Sequence, residues 1–105
     1  MNYFTIPGVE RTHSDIKTRV SSLIKRVCES YEISEKELKS KRRFRELVEA
    51  RQICQYVMHK VYGITCSKTG DEFGKAHDTV LYSCTTIAGI MEYDKDFRNK
   101  VNNIR

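Results

Sequence analysis

Apolar residues recur at steps of three and four along most of the chain, and strand-like alternation is absent over any useful length. Ile16, Val20, Leu23, Ile24, Val27 and Tyr31 form one such stripe and predict a first helix over about 14–31. Thr12 with Asp15 three residues later suits its start as a capping pair. Ahead of it Pro7-Gly8 breaks the pattern, so residues 1–13 read as a flexible arm and 14–105 as the folded domain. Ser34 and Glu37 have the spacing of a capping box, with Ile33 and Leu38 at the staple positions, which predicts a short second helix. A long third helix over about 44–62 would turn Phe44, Leu47, Val48, Cys54, Val57, Met58 and Val61 to one side. Gly63 then stands where a left-handed C-terminal cap belongs. A short fourth helix over about 67–73 meets Gly74 and gives way to a fifth over about 77–93. The inward face of the fifth is expected to carry Val80, Leu81, Cys84, Ile87, Ala88 and Met91. A last helix over about 95–103 presents Phe97, Val101 and Ile104. The expected fold is all-α, a single domain of about six helices with a helix-turn-helix near the C-terminus.

A length of 105 residues fits one domain with a modest core. Nineteen Lys and Arg against 14 Asp and Glu leave a net charge of +5 and a pI near 9.1, which favours a polyanionic partner. No segment is apolar enough to span a bilayer, and the first residues lack the form of a signal peptide, so a cytoplasmic protein is expected. Cys28, Cys54, Cys66 and Cys84 form no Cys-x-x-Cys pair, and free thiols are expected. A zinc site from Cys54, His59 and Cys66 would have a spacing foreign to standard fingers.

Charge changes the picture most between residues 39 and 45. Lys39, Lys41, Arg42, Arg43 and Arg45 fall within seven positions, with no acid among them. Cations just before a helix oppose its macrodipole, so a cluster there suits an expected anion. Arginine in a flexible loop can also enter a narrow minor groove. Phe73 anchors the fourth helix, Gly74 permits the turn, and His77, Asp78 and Thr79 open the fifth helix, where such motifs meet base edges. The stretch from Gly70 to Ala76 is no phosphate loop: three residues separate its glycines and Ala76 replaces the magnesium-holding hydroxyl. No catalytic constellation stands out, and neither enzyme activity, cofactor nor small-molecule ligand is expected.

Three segments together resemble the C-terminal DNA-binding domain, domain IV, of the bacterial replication initiator DnaA. Residues 33–43 are similar to that family's short helix and basic loop, and 48–53 to the opening of its long helix. Residues 73–81 resemble its signature, in which the family has Phe-Gly-Gly-Arg-Asp-His-Thr-Thr-Val-Leu. The resemblance implies an initiator-type, Trp-repressor-like fold that binds double-stranded DNA in replication initiation or its regulation. By position it implies that Arg43 reaches the minor groove and that Arg51 and Gln52 grip phosphates. It also implies that Lys75 stands for the signature arginine, His77 for a base-contacting histidine and Thr79 for a threonine near phosphate. The departures are a turn one residue shorter, Ala76 for a base-contacting aspartate, and Asp78 for a threonine that meets a thymine methyl. His59 replaces a phosphate-binding lysine, and Thr69 an apolar residue. The likeness does not reach the family's ATPase module, so origin melting by this chain alone is not expected.

The DNA-binding set is therefore Lys41, Arg42, Arg43, Arg45, Arg51, Gln52, Lys75, His77, Asp78 and Thr79. A different class of function, a protein-interaction module that engages replication proteins or competes with the initiator, suits Asp78 at a base-reading position. Lys17, Arg19, Lys25 and Arg26 on the first helix permit contact with an acidic membrane, although its apolar stripe suits a core better.

Overall fold

A computed structural model of the chain describes residues 13–105, which form an all-α domain. The helices are α1 (His13–Tyr31), α2 (Glu35–Leu38), α3 (Arg45–Tyr56), α4 (Cys66–Phe73), α5 (His77–Tyr93) and α6 (Lys95–Ile104). The expected arm, apart from His13 at the start of α1, and the Thr12–Asp15 cap lie outside the described residues. The anticipated stripe of α1 is the one that packs: Val20, Leu23, Ile24 and Val27 are buried, and Ile16 and Tyr31 lie against the same cluster. The helix ends through Glu32 at φ +54, where Ile33 N–H turns back to Cys28 O at 3.0 Å. A side chain in that left-handed region costs roughly 1–2 kcal/mol. The turn delivers Ile33 onto the core as an entry to α2. The capping box then forms as expected: Glu37 N–H donates to Ser34 Oγ at 3.1 Å, and Ser34 N–H to Glu37 Oε1 at 3.1 Å. Leu38 is fully buried.

The long helix differs from its expectation at both ends. It starts at Arg45, and Phe44 is its N-cap, 61% exposed instead of inward. As the N-cap, Phe44 has extended backbone (φ −64, ψ 142), so its side chain does not continue the helical face that turns Leu47 and Ala50 to the core. At the other end, Val57–Val61 widen into a π-helical turn, in which Tyr62 N–H bonds Val57 O at 2.9 Å. Gly63, at φ +73, closes it and brings Ile64 N–H to Met58 O at 3.0 Å, which buries Ile64. Ala50 and Ile53, which the sequence pattern did not single out, are fully buried and set the middle of the core. α3 is the central element, packing against α1, α2, α4 and α5. Phe97, Val101 and Ile104 of α6 complete the cluster. Arg26 ties α6 to α1, with its Nε donating to Ile104 O at 2.6 Å.

α5 corrects two further expectations. Leu81 is 46% exposed and Ala88 is exposed, because the buried stripe runs through Val80, Ser83, Cys84 and Ile87. Those four sit at i, i+3, i+4 and i+7, one helical face with Leu81 and Ala88 turned off it. Ser83 can occupy that face because its hydroxyl donates to Thr79 O at 3.0 Å. Thr69 of α4 is fully buried, and its Oγ1 has no hydrogen-bond partner among the described residues. An unpaired buried hydroxyl costs about 1–3 kcal/mol by mutational measures. Thr69→Val is therefore expected to raise stability by about 1–2 kcal/mol, read as a higher urea midpoint with an unchanged slope.

Candidate nucleic-acid interface

The basic loop is short and anchored at its first bend. Ser40 Oγ donates to Glu37 O at 2.6 Å and accepts from Arg42 N–H at 3.3 Å. Arg51 reaches the same place from α3. Its Nε donates to Leu38 O at 2.6 Å, and its Nη2 to Glu37 O at 3.4 Å and to Ser40 Oγ at 3.3 Å. Burial lowers the proton affinity of this guanidinium below its ordinary value, yet arginine stays charged at any working pH. Lys41, Arg42, Arg43 and Arg45 lie beyond the anchor, all exposed, and their side chains form no hydrogen bond or ion pair among the described residues.

The helix-turn-helix closes just as tightly. Lys75 N–H bonds Gly70 O at 2.9 Å, and Gly74 takes φ +64 to make the turn. A β-carbon on Gly70 would sit 2.3 Å from Lys75 O, so only glycine lets α4 approach the turn this closely. α5 opens from Ala76, which offers no side-chain cap, and α3 opens from Phe44, which offers none either. The starts of α2, α4 and α6 are all capped, by Ser34, Thr65 and Asp94. Among the described residues, the helix starts without a side-chain cap at α3 and α5 are those that adjoin the basic loop and the turn. Free amides at a helix start, aided by the macrodipole, are natural phosphate ligands.

Between these parts runs an open cleft of about 200 Å³ lined by Lys41, Arg43, Val48, Arg51, Gln52, Gln55, Lys75, Thr79, Tyr82 and Ser83. Six residues of the expected set meet there: Lys41, Arg43, Arg51, Gln52, Lys75 and Thr79. Arg42, Arg45, His77 and Asp78 stand outside the cleft, exposed to solvent. Sequence reasoning missed Gln55 and Tyr82. Gln55 is 2% exposed with its Oε1 unpartnered, and Tyr82 is 68% exposed on the outer face of α5. Helical spacing could have found Tyr82, three residues beyond Thr79 on the same side. Among the described residues, Cys54, His59 and Cys66 do not come together as a group that could hold a metal ion. Cys54 is buried in the core, while His59 Nδ1 meets Ile64 O at 2.7 Å and its Nε2 lies 3.3 Å from Cys66 Sγ.

Residues 20–87 match the family of the bacterial DnaA protein helix-turn-helix. The chain belongs to that family. Among curated relatives, the chromosomal replication initiator protein DnaA of Bacteroides thetaiotaomicron is 35% identical over 94 residues, 88% of this chain and 20% of that protein. DnaA 2 of Chlamydia pneumoniae is 32% identical over 98 residues, 93% of this chain and 22% of its own length. DnaA of Trichormus variabilis is 43% identical over 70 residues, 66% of this chain and 15% of its own length. The chain thus spans between 15% and 22% of these relatives. What it matches is the helix-turn-helix, a non-catalytic part of the DnaA protein.

Within the DnaA pattern, the departures now have surroundings. His59, in place of a lysine, is half-buried with both ring nitrogens against its own chain, Nδ1 at Ile64 O and Nε2 beside Cys66 Sγ. Asp78, in place of a threonine, is 83% exposed at its side chain, with Oδ1 3.1 Å from His77 Nε2. It lies beside the His77 ring and places a negative charge at the exposed start of α5. Asp78→Asn is expected to tighten binding to duplex DNA several-fold, on the order of 3–10-fold at low salt, with the gain shrinking as salt rises. Fluorescence anisotropy at two ionic strengths measures both.

Proposed function

We propose that this chain binds double-stranded DNA with a sequence preference and that it acts in replication initiation or its regulation, at the nucleoid in the cytoplasm. The observation that carries the reading is the cleft in which Lys41, Arg43 and Gln52 face Lys75 and Thr79 across α3 and α5. A basic loop and a recognition helix on one open surface have the arrangement that grips a duplex at two points. Lys41, Arg42 and Arg45 hold phosphates and Arg43 enters the minor groove, while Lys75, His77 and Thr79 meet the major groove at the start of α5. The uncapped amides of α5 add a charge-free phosphate contact. Membership of the DnaA family supports the same assignment. No described helix is long and apolar enough to cross a membrane.

Anisotropy titration of a labelled duplex at two salt concentrations tests the proposal. With five cations neutralising the duplex, three on phosphates and Arg43 and Lys75 in the grooves, the slope of log K against log salt is roughly −4.5, so affinity falls about 500-fold between 50 and 200 mM salt. Absence of binding, or tight binding indifferent to salt, defeats the proposal. Selection from random duplexes then reads the preferred sequence.

A further inference from the structure

We propose that Arg51 is a positioning residue: it fixes the basic loop against the recognition helix and is not itself one of the phosphate ligands. Only 6% of Arg51 is exposed, whereas Lys41, Arg42, Arg43 and Arg45 are all exposed. A fully charged side chain is almost never buried unless paired. Here no carboxylate pairs with it among the described residues, and backbone acceptors take that place. Its Nε and Nη2 gather Leu38 O and Glu37 O, two carbonyls at the C-terminal end of α2, and Glu37 O also accepts from Ser40 Oγ, so α2, the loop and α3 meet at that carbonyl.

The hold extends into the loop through one hydroxyl. Nη2 also donates to Ser40 Oγ, and that oxygen accepts from the Arg42 backbone N–H. A chain of hydrogen bonds therefore runs from α3 through Ser40 to the residue before Arg43. Arg43 and Lys75 line the same cleft from its two walls. The register between the walls depends on how the loop is fastened to α3, and Arg51 is the α3 side chain that fastens it. Lysine cannot replace it: an ammonium is a compact point charge without the planar fork that reaches Leu38 O, Glu37 O and Ser40 Oγ together.

The test compares Arg51→Lys, which keeps the charge, with Ser40→Ala, which keeps Arg51 and removes the bridge. The first readout is amide hydrogen exchange of residues 39–45 in the DNA-free protein. Both variants are expected to exchange faster there, by about tenfold for Arg51→Lys and less for Ser40→Ala, with α3 and α5 unchanged. The second readout rests on the DNA-binding reading above. Combined with Arg43→Ala, Arg51→Lys is expected to be strongly non-additive, the second substitution adding less than about threefold loss. Combined with His77→Ala it is expected to be additive, because the hold acts on the loop. Unchanged exchange at residues 39–45 overturns the proposal, as does independent multiplication of the Arg51 and Arg43 losses, the behaviour of a separate phosphate ligand. Equal coupling to Arg43 and to His77 overturns it too, since that describes a general loss of structure. Should the parent protein bind no DNA, the function proposed above fails, while the exchange experiment still decides the role of Arg51. Should Arg51→Lys fail to fold, Ser40→Ala carries both readouts.

Discussion

Gly70→Ala is expected to destabilise the domain by about 2–3 kcal/mol, although alanine is the better helix former by about 1 kcal/mol. The sign follows from what the new methyl meets. It would lie 2.3 Å from Lys75 O, a backbone atom that cannot rotate aside, in a turn held by the 2.9 Å bond from Lys75 N–H to Gly70 O. Either α4 shifts away from the turn and that bond is lost, or the turn moves and carries the start of α5 with it. Both routes also move Lys75 and Thr79 relative to Arg43, so DNA affinity should fall with stability. Gly89 provides the opposite case. It lies within α5 and a β-carbon there meets nothing within 4 Å, so Gly89→Ala is expected to stabilise by about 0.5–1 kcal/mol. Urea melts of the two variants, analysed with a common slope, decide the matter. A stabilised Gly70→Ala protein would mean that the close approach of α4 to the turn does not exist in solution.

Where the chain writes its structure locally, the pattern was readable. Ser34 and Glu37 close their box within three residues, and Gly63 and Gly74 adopt positive φ where helices stop. What escaped depends on tertiary fit. Phe44 and Leu81 are apolar and belong, by composition, in a core, yet Phe44 is the extended N-cap of its helix and Leu81 falls one step off the buried face of its own. Ser83 takes a buried position because the carbonyl of Thr79 satisfies it, a bond that apolar periodicity does not anticipate. The π-helical turn at Val57–Val61 likewise follows from how Gly63 and Ile64 dock, and nothing in five ordinary helix residues announces it. At the site, residue type identified the cations but not their duties. The resemblance gives both Arg43 and Arg51 to the DNA, and only the three acceptors around Arg51 set a buried, fastened guanidinium apart from an exposed one. Gln55 entered the cleft unnoticed because an amide carries neither charge nor apolar signal.

Arg43→Ala is expected to weaken duplex binding by about 10–100-fold, the loss of 1–3 kcal/mol typical of an arginine at a groove or phosphate. The side chain borders the cleft, is exposed, and makes no hydrogen bond within the described residues, so its removal leaves no buried partner stranded. Thermal unfolding should accordingly stay within about 0.5 kcal/mol of the parent, as for surface positions. The salt slope should fall by about one, because one neutralised phosphate or groove charge is gone. His77→Ala should behave differently. Its ring stands at the start of α5 beside Asp78, so its loss should alter which duplex is preferred more than how binding responds to salt. Titrating both variants against a selected and a scrambled duplex separates the two behaviours. If Arg43→Ala lowered affinity with no change in salt slope, Arg43 would be acting through something other than charge on the DNA. If His77→Ala left sequence preference intact, the reading end of the molecule would lie elsewhere on α5, with Tyr82 and Leu81 as the exposed side chains next in line along that face.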